Sequence, residues 1–174
     1  SLSKHLSSRH GLDVLVRHLD TANAAMRVDA KWHLYAKGES PVMATEAALQ
    51  KLVAEGHSVQ DIAVLSFQGQ SRSVLAGKGG PAHLAGQAVR RQTGYGSHGQ
   101  AQWSDGHLLV DTVNRFKGQA ADAVVITEVD FEELGERERR RLFMGLTRAR
   151  LQAVLVTTER AAKVLRERWG IGKG

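Results

Sequence analysis

Four short apolar runs dominate the chain, at residues 62–67, 107–114, 123–129 and 152–157, each rich in Val, Ile or Leu and bounded by polar residues. Continuous rather than alternating apolar character is the pattern of strands covered on both faces, and cover on both faces is the property of a mostly parallel sheet. The segments between them carry helical spacing. Within 132–147, Leu134, Leu142, Phe143 and Leu146 make an apolar stripe, and Glu136 stands four residues ahead of Arg140. Ser40 and Pro41 offer an N-cap followed by proline at the first helical position, opening a helix that runs to about Glu55 and stops at Gly56. Leu12, Leu15, Val16, Leu19 and Ala22 share one face of a helix predicted over 11–26; residues 32–36 read as a short strand and 159–169 as a closing helix. From 69 to 106 the periodicity fades among many glycines, and the expectation is loops around a short helix at 71–76. Strands alternating with helices predict a single α/β domain with a mostly parallel sheet, whose ligands sit beyond the carboxyl ends of its strands.

Composition narrows the function. Lys and Arg total 24 against 18 Asp and Glu, a net charge of +6, which favours polyanionic partners such as nucleic acid or nucleotide phosphate. The absence of cysteine excludes a disulfide framework, a thiolate metal cage and a cysteine nucleophile, and makes a cytoplasmic setting the simplest expectation. No apolar stretch reaches the ~18 residues of a membrane span, so no membrane is expected. Eight histidines never fall at i, i+4, and no G-x-S-x-G surrounds a serine, so neither a metal site nor a serine hydrolase is expected. The run Gly94-Tyr95-Gly96-Ser97-His98-Gly99 fits G-x-G-x-x-G but follows a polar, basic segment and opens no helix; it reads as an ordinary glycine loop. Gly77-Lys78 looks like part of a phosphate-binding loop, yet Arg72 and Gly79 occupy the places of the required glycine and hydroxyl residue. Without that loop the chain is not expected to hydrolyse a nucleotide alone.

Two later segments carry more chemistry. Residues 110–119, Val-Asp-Thr-Val-Asn-Arg-Phe-Lys-Gly-Gln, run from a strand into a short basic loop that can offer a hydroxyl, an amide and two cations to phosphates, or serve as a plain turn between strands. Residues 140–150 hold a helical stripe interrupted by Gly145, tolerated where another backbone packs close, and then Arg148 at the junction with the next strand. An arginine there is either a solvated charge or a guanidinium aimed at a transferring phosphoryl group.

Taken in order, about thirty residues apart, these segments resemble motifs V and VI of superfamily 1 helicases of the UvrD/Rep type. Thr112, Asn114, Lys117, Gly118 and the strand at 124–126 stand for the first, within 110–120. Arg141, Leu142, Phe143, Gly145, Thr147, Arg148 and Ala149 stand for the second, within 140–150. Residues 61–65 and Gln70-Ser71-Arg72 look like the opening of the same core, taken over 61–169, with 1–60 as a helix-strand-helix lead-in. The resemblance implies a three-layer RecA-like fold, the second of two such domains in an ATP-dependent DNA helicase. The partner would be an N-terminal RecA-like domain of the same polypeptide, holding the Walker A lysine and the ligands of the Mg2+ that accompanies ATP. It further implies Arg148 as arginine finger, Thr147, Gly118 and Gln119 at the nucleotide, and Thr112, Asn114, Arg115, Lys117 and Arg72 at single-stranded or partly duplex DNA. Two positions depart from the family. Asn114 replaces a histidine, and Ala120 replaces a glutamate associated with the nucleotide ribose, with Gln119 its nearest stand-in. These departures leave open a non-catalytic RecA-like binding module. A different Rossmann-like enzyme is the other alternative.

Overall fold

In the computed structural model, which describes residues 32–169, the apolar runs form the middle of a seven-stranded sheet. The elements in chain order are β1 (His33–Tyr35), α1 (Val42–Ala54), β2 (Ile62–Ser66), β3 (His83–Leu84), β4 (Gln87–Arg90), β5 (Gln92–Tyr95), β6 (Ala101–Trp103), β7 (Leu108–Thr112), β8 (Ala121–Val129), α2 (Glu136–Leu146), β9 (Ala149–Thr158) and α3 (Glu159–Trp169). The sheet order is β1-β9-β8-β2-β7-β4-β3, parallel throughout except for the β3–β4 pair; β5 and β6 form a separate antiparallel hairpin. The predicted helix at 11–26 lies outside the described residues.

Neighbouring residues of a strand point to opposite faces, so a continuous apolar run feeds two cores. Ala63, Leu65, Val124, Ile126, Ala153 and Leu155 pack with Leu142 and Leu146 of α2 and with Ala161 and Leu165 of α3. Their neighbours Ile62, Val64, Ala123, Val125, Val154 and Val156 pack with Ala48, Leu49 and Leu52 of α1. Helices on both faces give the three layers of an α/β, RecA-like domain. Pro41 sits one position earlier than its pattern implies, at the cap itself, with the Val42 amide 3.3 Å from Ser40 Oγ.

Residues 71–76 form turns rather than the predicted helix, because a buried carboxyl group captures their backbone. Glu128, with φ of +57° at the irregular end of β8, accepts from Ser66 Oγ at 3.0 Å, Ser73 Oγ at 2.5 Å and the Val74 amide at 3.0 Å. Ser73 Oγ in turn accepts from the Ala76 amide at 2.8 Å, a local bond of the kind that competes with helix. The stretch after it, expected as loop, contains β3 to β6. Arg91 fastens it from inside. Its buried guanidinium donates to the carbonyls of Leu75 (2.6 Å from Nη2) and Pro81 (2.8 Å from Nη1), while Arg90, one residue earlier, faces outward.

At the carboxyl end of β8, Asp130 receives Arg160 Nε at 2.7 Å and Nη2 at 2.9 Å, and Thr158 Oγ1 at 2.7 Å. The hydrogen bond from Arg160 is the main reason its pKa lies below the ordinary carboxylate value. The folded protein therefore holds this proton more weakly than the unfolded chain does. The resulting stabilisation is complete above the unfolded value of roughly 4 and is lost as pH falls through the lower folded value. Urea unfolding of wild type and Asp130→Asn from pH 7 to 3 should show a stability gap that is constant above about pH 5 and closes below it. Glu128→Ala strands two hydroxyls and an amide, and should lower the unfolding free energy by about 1–3 kcal/mol or more, whereas Ser73→Ala removes one donor to the carboxyl group and the acceptor of the Ala76 amide, leaving Ser66 and Val74 in place, and should cost less.

Candidate functional site

Strand β7 delivers Thr112, and the chain then turns tightly over 113–118. Thr112 closes the turn with both of its oxygens: the carbonyl accepts the Phe116 amide at 3.1 Å and Oγ1 accepts the Arg115 amide at 3.2 Å. Val113 and Phe116 are buried in the core beneath, which leaves Asn114, Lys117, Gly118 and Gln119 exposed on the outer side. The turn needs Gly118, whose φ of +84° is left-handed. Asp111 sits buried behind it, its pKa raised by desolvation against the opposing pull of the Thr112 amide at 2.8 Å and of Arg115 at 3.5 Å. Arg115 is thus partly committed to a carboxylate, and Lys117 is the freer cation.

Helix α2 is held on this turn and on β8 by the absence of a side chain. A Cβ on Gly145 would lie 2.8 Å from Ile126 Cδ1 and 3.4 Å from Val113 Cγ2. The close seat brings the end of the helix to the start of β8. The Arg148 carbonyl accepts the Ala121 amide at 3.0 Å, and Arg148 Nη1 lies 3.5 Å from the Gln119 carbonyl. Arg148 Nη2 donates to Thr147 Oγ1 at 3.3 Å, and Thr147 Oγ1 donates to the Met144 carbonyl at 3.2 Å. Arg148 Nε is shielded from solvent and has no acceptor.

The predicted residues therefore divide between two edges of the sheet. Thr112 is level with Ser66 and, through it, with Thr127, whereas Ala149 is level with Ala121, six residues earlier on β8. Six strand residues span about 20 Å. Thr147, Arg148, Gly118 and Gln119 gather toward the amino ends. Thr112 and Arg72 lie toward the carboxyl ends with Asn114 nearby. Arg72 lines a cleft there with Phe67, Gln68, Asp130, Arg137 and Arg141, and Asn114 lines an adjoining groove with Arg137, Arg140, Arg141 and Met144.

Arg141 enters both depressions, and no role was foreseen for it. Its guanidinium lies 5.3 Å from the centre of the Phe67 ring and donates to the Phe67 carbonyl at 2.9 Å; burial, then the charge of Arg137, lowers its pKa. The signal was in the sequence, since Arg137, Arg140 and Arg141 stand at i, i+3 and i+4 on one helix. Among the described residues no three His, Cys, Asp or Glu side chains gather into a metal-binding group, and no helix is long and apolar enough to cross a membrane.

The family model of the UvrD-like helicase C-terminal domain matches residues 107–156, from the approach to β7 through most of β9. That stretch contains both the turn after Thr112 and the Gly145–Arg148 segment. No curated protein matches the chain. Gly145→Val would drive a branched side chain into Ile126 and Val113, and thermal or urea unfolding should register a loss of about 1–3 kcal/mol.

Proposed function

We propose that this domain, with its match to the UvrD-like helicase C-terminal family, works as the second RecA-like half of a superfamily 1 ATP-dependent DNA helicase. In this reading it completes an ATP site on the facing N-terminal domain and holds single-stranded DNA at its other edge. The observation that carries the reading is Arg148. Its guanidinium stands at the junction of the two matched segments, with one N–H sheltered from water and unpaired. A phosphate oxygen is the acceptor such a group fits, and a guanidinium can meet it with two donors in one plane.

The proposed chemistry follows from those contacts. Thr147 Oγ1 and the Gln119 carbonyl hold the guanidinium between them through long, weak bonds that a phosphate oxygen can replace. As charge builds on the transferring phosphoryl group, Arg148 stabilises it across the interdomain cleft. The magnesium that accompanies ATP takes its protein ligands from the N-terminal domain. At the carboxyl edge, Asn114 and Arg72 hold the strand; Thr112, itself buried, fixes the turn that presents Asn114, and Lys117 on the same turn adds a phosphate contact, with Arg115 weakened by its pairing to Asp111. Closing of the two domains on ATP and reopening after hydrolysis would then step the protein along the strand. Ala120, exposed where the resemblance expects a glutamate, favours the alternative of a binding module without catalysis.

Single-strand-stimulated ATPase, measured on a polypeptide holding both domains, separates the two readings. Arg148→Ala should lower turnover by about 10³-fold or more while ATP still binds, and the present domain alone should show none. Equal turnover in variant and wild type would remove the finger role. Single-strand binding without turnover in either protein would establish the non-catalytic module.

A further inference from the structure

The insertion between β2 and β7 is unusual in its charges. Residues 62–104 contain no Asp or Glu, while Arg72, Lys78, Arg90 and Arg91 fall within them. Arg91 is spent inside the fold on backbone carbonyls, but Arg72, Lys78 and Arg90 are exposed. Within those residues no carboxylate offsets the cations; Asp105 follows directly, and Arg72 shares its cleft with Asp130 and Glu138.

The β5–β6 hairpin is the outermost part of this stretch. It leaves the sheet at the carboxyl end of β4, where Arg90 is level with Leu109 of β7, three residues before Thr112. Its construction leaves one aromatic ring bare. Tyr95 is flanked by Gly94 and Gly96 and is paired across the hairpin with Ala101, so none of these neighbours has a side chain large enough to cover it. The residue is 71% exposed. At the hairpin base Arg90 lies over the Trp103 ring, 5.2 Å from its centre, which steadies the guanidinium at the surface. Apart from Ala101, the remaining exposed side chains, Thr93, Ser97, His98, Gln100 and Gln102, are hydrogen-bonding.

We infer that the β5–β6 hairpin is a second single-strand contact, with Tyr95 as the platform on which an unpaired base stacks and Arg90 as a phosphate contact. A bare ring on a hairpin whose base carries an exposed cation is a combination by which single strands are held without sequence preference. Duplex DNA does not offer the face of a base, so the ring selects the unpaired strand. The inference deepens the proposed function, because it lengthens the strand's path from Thr112 and Asn114 outward along the neighbouring strand.

The test uses the polypeptide carrying this chain and a fluorescently labelled oligothymidylate, with affinity read by anisotropy over a range of salt. Tyr95→Ala should weaken binding by about 5- to 150-fold, and Tyr95→Phe should retain it. Arg90→Ala should weaken binding and reduce the salt slope by about 1. Tyr95→Trp supplies a readout independent of any loss of stability: the added indole emission should be quenched by the oligonucleotide. Wild-type affinity in Tyr95→Ala, or unquenched emission from Tyr95→Trp while the strand is bound, overturns the hairpin contact and leaves the proposed function standing. Failure of the wild type to bind the strand removes both. Tyr95-dependent binding together with an Arg148→Ala protein of normal turnover keeps the hairpin contact and removes the finger.

Discussion

The seat of α2 on the sheet, with Gly145 against Ile126 and Val113, governs the geometry of Arg148 and of the turn after Thr112. It sets the height of the helix above β8, and with it the point at which the chain turns back into β9. Because the same glycine touches the turn after Thr112, the two matched segments are fixed to one another by direct packing rather than through a loop. A protein interior packed near crystalline density has no slack with which to absorb a methyl at such a point. Arg148 owes its place beside Gln119 to that contact and to the one backbone bond from Ala121 to its carbonyl.

How much of this was legible in the sequence depended on what each element is stabilised by. Strands β2, β7, β8 and β9 follow from their own residues, since an apolar run buried on both faces has few other ways to fold. Helix α2 follows from its stripe, and the Glu136–Arg140 pair forms as its spacing implies. The stretch from 69 to 106 was not legible in that way. Its strands are two to four residues long, largely polar and at the margin of the sheet, and they are held by Arg91 and Glu128 from a distance in sequence. No local pattern announces that a serine at 73 and an amide at 74 will be captured by a carboxyl group on another strand. Turn residues around Gly118, by contrast, were evident as a loop, although the burial of Phe116 that anchors the loop was not.

The candidate site divides along the same line. The residue types at 112–119 and 147–148 suggested phosphate chemistry, and their resemblance to helicase motifs assigned them to one machine. Their separation by about 20 Å along β8 is a property of the parallel register, which no residue type reveals. Arg141 shows the reverse case. Its spacing from Arg137 was plain, but its stacking on Phe67 depends on where β2 ends.

Helix α2 runs between those two edges. Its first turn carries Glu136 and Arg137 beside the groove that holds Asn114, its last runs into Thr147 and Arg148, and the 11 residues between cover roughly 16 Å as one stiff rod. A rod whose ends serve two ligands makes their binding a single linked equilibrium. On the proposed reading, any preference for nucleotide that tilts or slides α2 must appear as an equal preference, at the opposite edge, for the strand. Thermodynamic reciprocity then requires that the factor by which the strand tightens nucleotide binding be the same factor by which nucleotide tightens the strand.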